Sequence, residues 1–152
     1  MAVKELSRRA HRQLAFQALY GQEFLDCDSV DKLQKAFLSV PRQGDAEAEA
    51  EASGFAWELV LGVWQHRAEL DAIIEKFARN WRLDRVGRVE LNLLRLGVYE
   101  MLYRADVPAR VSMNEALELD KQYGDARSHT FVNGILDAVN KAVEKGELEV
   151  RV

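Results

Sequence analysis

Apolar residues recur along this chain at intervals of three and four, and no useful stretch alternates with period two, so the pattern predicts helices and no sheet. The first helix is expected from about Leu6 to Gln22, and a short second one from about Ser29 to Ser39, stopping before Pro41. Phe55, Trp57, Val60, Leu61 and Trp64 form one stripe at helical spacing, and Leu70, Ile73, Ile74 and Phe77 form another. The tryptophans read as core rather than as a ligand site. From Val86 to Tyr103 the chain is apolar on most faces, as suits a helix at the centre of a small protein. Asp106-Val107-Pro108 ends that helix and begins the next, whose start is either near Pro108 or at the capping-box pattern Ser112-Met-Asn-Glu115. Gly124 terminates it, and Asp125 or Ser128 caps a last helix that runs to about Lys145, before Gly146. The reading is all-α, with about seven helices.

Three segments interrupt or complicate this pattern. DAEAEAEAS, residues 45 to 53, has the composition of a solvated acidic linker, yet Ala and Glu form helices well and acids suit a first turn, so the segment is preferred as the lead-in to the following helix. NWRLDR, residues 80 to 85, breaks the periodicity and predicts a boundary between an N-terminal helical subdomain, 1–80, and a C-terminal one, 81–152. Asn133-Gly134 signals a hairpin when strands flank it. Here Val132, Ile135, Leu136, Val139 and Val143 keep helical spacing through the dipeptide. Gly134 is therefore expected inside a helix, packed closely on a neighbour that offsets its propensity cost of about 1 kcal/mol.

Composition narrows the class. The 152 residues are 48% hydrophobic and 30% charged with two prolines, which excludes disordered and collagen-like chains. A chain of this length buries roughly 70% of its unfolded surface without disulfides, and Cys27 has no cysteine to pair with. No run approaches the roughly 20 apolar residues of a membrane span. No apolar h-region follows MAVKELSRRAHRQ, so no secretory signal is visible and the cytoplasm is the expected location.

The net charge of -4 conceals an uneven distribution. Residues 1 to 22 set Lys4, Arg8, Arg9 and Arg12 against Glu5 alone, whereas residues 23 to 75 hold four basic and twelve acidic side chains. Local charge, not the average, decides where a polyanion docks. Arg8, Arg12, Phe16 and Tyr20 lie four apart and form one ridge of the first helix, with Arg9 beside it; Leu6, Ala10, Leu14 and Ala18 form the face expected against the core. Arginines in a first turn oppose the helix dipole by roughly 0.3 to 1 kcal/mol each when exposed. A phosphate-bearing partner reverses that balance, since arginine forks pair with phosphate and a tyrosine ring stacks on an unpaired base. The competing reading is a solvated basic N-terminus with Phe16 in the core. A second basic series, Lys76, Arg79, Arg82, Arg85 and Arg88, spans the boundary region and reads first as a solvated junction.

Chemistry is harder to find. His11, His66 and His129 show no metal-ligand spacing. There is no Gly-rich phosphate loop and no strand-turn-helix to hold a nucleophile, so neither metal, cofactor nor enzymatic activity is expected.

RRAHRQLAFQALY at residues 8 to 20, LRLGVYEML at 94 to 102, DVPARVSMNEALELDKQYG at 106 to 124 and SHTFVNGILD at 128 to 137 together resemble the NusB family of bacterial transcription antitermination factors. The similarity covers most of the chain, with residues 23 to 56 contributing little. It implies two small packed helical bundles, binding of boxA-type single-stranded RNA, a heterodimer with the ribosomal protein NusE, and a place in the antitermination complex on RNA polymerase during ribosomal RNA transcription. Carried over residue by residue, it implies RNA contacts by Arg8, Arg9, Arg12, Tyr20, Phe77 and Phe131, with Lys4 in the same basic arm. It implies contact with NusE by Glu90 and Asp84. Two departures stand out: Thr130 replaces a lysine common before FVNG, and Arg127 stands where an acidic residue is known, so one phosphate-binding charge is expected to have moved by about one helical turn. The RNA and NusE are expected to share a composite surface of the first helix, the central helix and the start of the last.

Two other readings remain open at this stage. The same motifs resemble the N-terminal domain of ribosomal RNA cytosine-5 methyltransferases, but a cofactor domain is expected downstream and this sequence ends at Val152. A homodimeric helical interaction module accounts for the apolar helices but leaves the arginine ridge without a role.

Overall fold

The computed structural model describes residues 7–41, 53–79 and 86–151. Among them the chain forms seven helices and no strand: α1 (Arg8–Gln22), α2 (Val30–Ser39), α3 (Gly54–Gln65), α4 (Arg67–Phe77), α5 (Arg88–Tyr103), α6 (Ala109–Tyr123) and α7 (Ser128–Glu144). No described helix is long and apolar enough to cross a membrane. Two compact units divide between Gln65 and His66. The sequence placed a boundary at 80/81, on the strength of residues 80–85, which lie outside the described residues. The division comes earlier because α4 packs on α5 and α7 and so belongs with the later helices.

In the first unit α1 packs on α2 and α3, and α2 on α3. The Ser7 hydroxyl oxygen accepts from the Ala10 amide at 3.1 Å, which fixes the start of α1 at Arg8 rather than near Leu6. Ser29 caps α2 in the same way, at 3.3 Å from the Lys32 amide. That helix stops where Val40 turns extended ahead of Pro41, as a residue preceding proline must. Leu19, Leu33, Phe37 and Leu59 are fully buried, each stabilising by about 1.5 to 3 kcal/mol. Trp57 packs on Phe37, with ring centroids 5.4 Å apart, and belongs to this core. Residues 45–52, expected as a lead-in to α3, are outside the described residues. The helix begins at Gly54, whose φ of 83° is left-handed backbone that a side chain would strain.

In the second unit α5 contacts α4, α6 and α7, and is buried along most of its length from Asn92 to Leu102. The expected central helix is therefore present. Its tightest approach is at Gly97, where an added Cβ would stand 3.0 Å from Leu136 Cδ2 and 3.3 Å from Ala116 Cβ. Gly134, which the sequence placed against a neighbour, is exposed with nothing within 4 Å of an added Cβ. The reason is rotational: Val132, Ile135, Leu136 and Val139 take the inner face of α7, and position 134 falls between them on the outside. Of the two proposed starts for α6, the one at Pro108 is observed, with Ser112 buried inside the helix. At the other end of α7, Gly146 (φ 74°) lets the Glu147 amide donate to the Ala142 carbonyl at 2.9 Å and its own amide to Val143 at 3.1 Å, a Schellman arrangement.

Candidate nucleic-acid interface

Each unit presents candidate residues at the start of one of its helices. In the first unit Arg8 and Arg9 are exposed in the first turn of α1, as expected. The ridge they were to begin does not continue along the surface. Arg12 is only 4% exposed and Phe16 only 2%, because α1 is covered by α2 and α3 and is buried on both of the faces the sequence distinguished. The expectation of a continuous surface ridge is corrected accordingly, and Phe16 is core, as the competing reading had it.

The two arginines meet a residue the sequence had read only as part of a core stripe. Arg8 Cζ lies 4.1 Å and Arg12 Cζ 5.4 Å from the centre of the Phe55 ring, in the first turn of α3. His11 sits edge-on to the same ring at 6.0 Å, and its Nδ1 accepts from the Ala56 amide at 3.2 Å. A backbone amide only donates, so this contact assigns the imidazole hydrogen to Nε2. The histidine thus satisfies one of the orphan donors at the start of α3.

At the far end of α1 the Tyr20 ring is half-buried, stacked on Phe16 at 6.2 Å and edge-on to Phe24 at 5.2 Å. Phe24 is 59% exposed and Leu25 56%, an apolar patch the sequence reading did not single out. Its signal was available: Phe16, Tyr20 and Phe24 are spaced by four.

In the second unit Phe77 is half-buried at the last position of α4, with Lys76 Nζ 5.6 Å from its ring centre. Of the second basic series, Lys76, Arg79 and Arg88 are exposed. Arg82, Arg85 and the candidate Asp84 lie outside the described residues, as does Lys4. Glu90 occupies the first turn of α5, and its carboxylate folds back into the space that Gly87 leaves at the helix start. An acid there also complements the dipole, so the position has a structural use besides any partner contact.

Arg127 is exposed at the entry to α7, and Phe131 is half-buried in the first turn. Asp125 makes this turn, its Oδ1 accepting from the Arg127 amide at 2.8 Å and the Ser128 amide at 2.9 Å. Neither proposed residue is the N-cap of α7, which is Arg127 without a side-chain cap; Asp125 instead closes the turn that leads into the helix. Beneath it lies a group that sequence reasoning missed. The fully buried Asp120 carboxylate receives the Ser128 hydroxyl at 3.1 Å through Oδ1 and stands 3.2 Å from His129 Nδ1 through Oδ2. Asp120 and His129 flank a cavity of about 350 Å³, lined also by Lys121, Gly124, Asp125 and Ala126. The available signal was an acid on the buried stripe of α6, in register with Ser112, Ala116 and Leu119. Among the described residues no group of three or more His, Cys, Asp or Glu is arranged to hold a metal ion.

The sequence model of the NusB family matches residues 9–141. A transcription antitermination protein NusB from Nitratidesulfovibrio vulgaris (strain DP4) is 56% identical over 146 residues, covering 96% of this chain and 95% of its own. Among solved structures, a T. maritima NusB superposes with a TM-score of 0.74 at 32% identity, covering 95% of this chain and all of the other. A crystal structure of antitermination factors NusB and NusE in complex with dsRNA gives a TM-score of 0.66 at 32% identity, over 89% of this chain and 96% of that one. The methyltransferase and homodimer readings give way to the antitermination reading, because a relative of this identity matches over nearly its whole length.

Proposed function

The chain belongs to the NusB family of transcription antitermination proteins, and on that premise we propose that it binds boxA-type single-stranded RNA together with the ribosomal protein NusE. It thereby helps assemble the antitermination complex on RNA polymerase during ribosomal RNA transcription. It works by contact alone, without a cofactor, and its place is the cytoplasm, with the polymerase.

The observation that carries this reading is the placement of Arg8 and Arg9 in the exposed first turn of α1. The helix dipole disfavours positive charge there by roughly 0.3 to 1 kcal/mol per residue, a cost that a bound phosphate offsets. Arg12 adds charge behind them, Lys4 extends the arm, and Tyr20 and Phe77 supply rings for unpaired bases. From the second unit, Arg127 and Phe131 stand at the start of α7, where the dipole itself favours an anion. Arg127 takes over the phosphate contact that Thr130 cannot make. Glu90 and Asp84 are assigned to NusE, which must then be basic where it meets them.

A titration of the protein with boxA RNA and a scrambled control, with and without NusE, tests the reading. The boxA sequence should be preferred, and RNA and NusE should strengthen each other by the same factor, a coupling of about 1 to 3 kcal/mol. Arg9→Glu should weaken RNA binding and spare NusE, and Glu90→Lys should do the reverse. No preference for boxA in either setting would sink the reading.

A further inference from the structure

Arg8 has a long side chain in a first turn of helix, which a solvated charge leaves free to sample many rotamers. In this structure it does not lie over open solvent but over a ring from another helix. The Phe55 ring is itself fixed on two sides. Gly54, in the left-handed region, sets the turn that brings residue 55 onto α1. The bond from the Ala56 amide to His11 Nδ1, at 3.2 Å, ties the start of α3 to the first turn of α1, and His11 closes one edge of the ring. Arg8 and Arg12, one helical turn apart, both set their guanidinium carbons over Phe55, at 4.1 Å and 5.4 Å.

Stacking uses the face of a guanidinium, whereas its five N–H donors lie in its plane. A stacked arginine therefore keeps its phosphate-binding edge while losing the rotamer freedom it would otherwise give up on binding. The Cζ to ring distance favours Arg8 for this role, and Arg8 is also the exposed member of the pair. Arg12, nearly buried, supplies a second charge on the same ring. The geometry points to Phe55 as the positioning residue of the arginine arm: it holds Arg8 in a conformation ready for an RNA phosphate. This rests on the RNA-binding reading and deepens it.

Three variants of Phe55 separate this role from simple packing. Tyr and Trp keep a π face and should keep RNA affinity, whereas Phe55→Leu keeps apolar bulk and should lose about two- to fivefold. In an Arg8→Ala background most of the Phe55→Leu loss should vanish, because only the nearly buried Arg12 is left over the ring; a packing defect would persist in full in both backgrounds. Circular dichroism establishes that each variant is folded. The unbound wild-type chain offers a check that no variant can confound: the Phe55 ring current should shift the Arg8 side-chain protons upfield in its NMR spectrum. Wild-type protein that binds boxA RNA no better than a scrambled strand overturns the RNA reading and this role with it. Wild-type binding with an unaffected Phe55→Leu, or an unshifted Arg8, overturns the role of Phe55 alone.

Discussion

Each unit is built round one helix, and the two helices are made of different material. α5 buries mostly apolar side chains, with Asn92 and Glu100 among them, and packs on three neighbours. α1 carries three arginines, three glutamines and a histidine in its 15 residues, and yet His11, Arg12 and Phe16 are as deeply placed as Leu14 and Ala18. An apolar contact needs only shape: where α5 meets α6 and α7, Gly97 removes the atoms that would collide. A polar one needs a partner for each polar group it takes out of water, since an unmet donor or acceptor costs about 1 to 3 kcal/mol. α1 finds those partners on α3, in the Ala56 amide and the Phe55 ring. The difference teaches that α1 ties its burial to the orientation of its charges through a neighbouring helix, whereas the contact of α5 at Gly97 is one of shape, the second unit meeting its buried Asp120 elsewhere, through Ser128 and His129.

The sharpest test of the shape half of this comparison is Gly97→Leu. Four added carbons must enter space already closed by Leu136 and Ala116, and overpacking of this kind costs about 3 kcal/mol. The same change at Gly134, in open solvent, should be neutral or stabilise by up to about 1 kcal/mol through helix propensity. Urea denaturation of both variants decides it. Equal effects would mean that α5 is not the crowded element.

His11→Leu tests the polar half. Leucine fills the site but offers no acceptor, so the Ala56 amide is left unsatisfied and stability should fall by about 1 to 2 kcal/mol. The loss should come with faster amide exchange at the start of α3, measured by NMR. An unchanged exchange rate at Ala56 would show that α3 starts independently of α1.

These two glycines and this histidine also mark where the sequence was legible. The seven helices and the central place of α5 follow from periodicity, because an element buried all round must be apolar all round unless its polar groups are met elsewhere. α1 is the exception that periodicity cannot see: its partners, Phe55 and Ala56, are more than 40 residues away along the chain. Gly134 was misplaced for a related reason. Helical spacing showed that it lies within a helix, but only the positions of Ile135 and Leu136 on α7 show which side faces the core. Asp120 went unread because an acid within an otherwise ordinary stripe looks like a surface charge until Ser128 and His129 are brought onto it by the turn at Asp125.

The smallest expected effect concerns polar contacts in the second unit that lie away from its apolar centre. The Tyr103 hydroxyl donates to Glu69 Oε2 at 2.6 Å, Glu69 Oε1 pairs with Arg151 at 3.0 Å, and the Tyr103 ring stacks on both His66, at 4.4 Å, and Tyr99, at 5.0 Å. Burial first, and then the Glu69 carboxylate, push the Tyr103 hydroxyl above its ordinary value. A raised acid of this kind contributes stability that is fully present below the unfolded tyrosine value of about 10 and is lost as pH rises through the folded value. Tyr103→Phe keeps the ring stack and leaves Glu69 its arginine, so at neutral pH it should cost only about 0.5 to 1 kcal/mol. Above pH of about 10 the cost should shrink, because the wild type is by then losing the contribution that the variant never had. Denaturation midpoints of both proteins across that range check the sign: a gap that widens toward alkaline pH would mean that Tyr103 is held as the phenolate, a charge that the second unit would then hold besides Asp120.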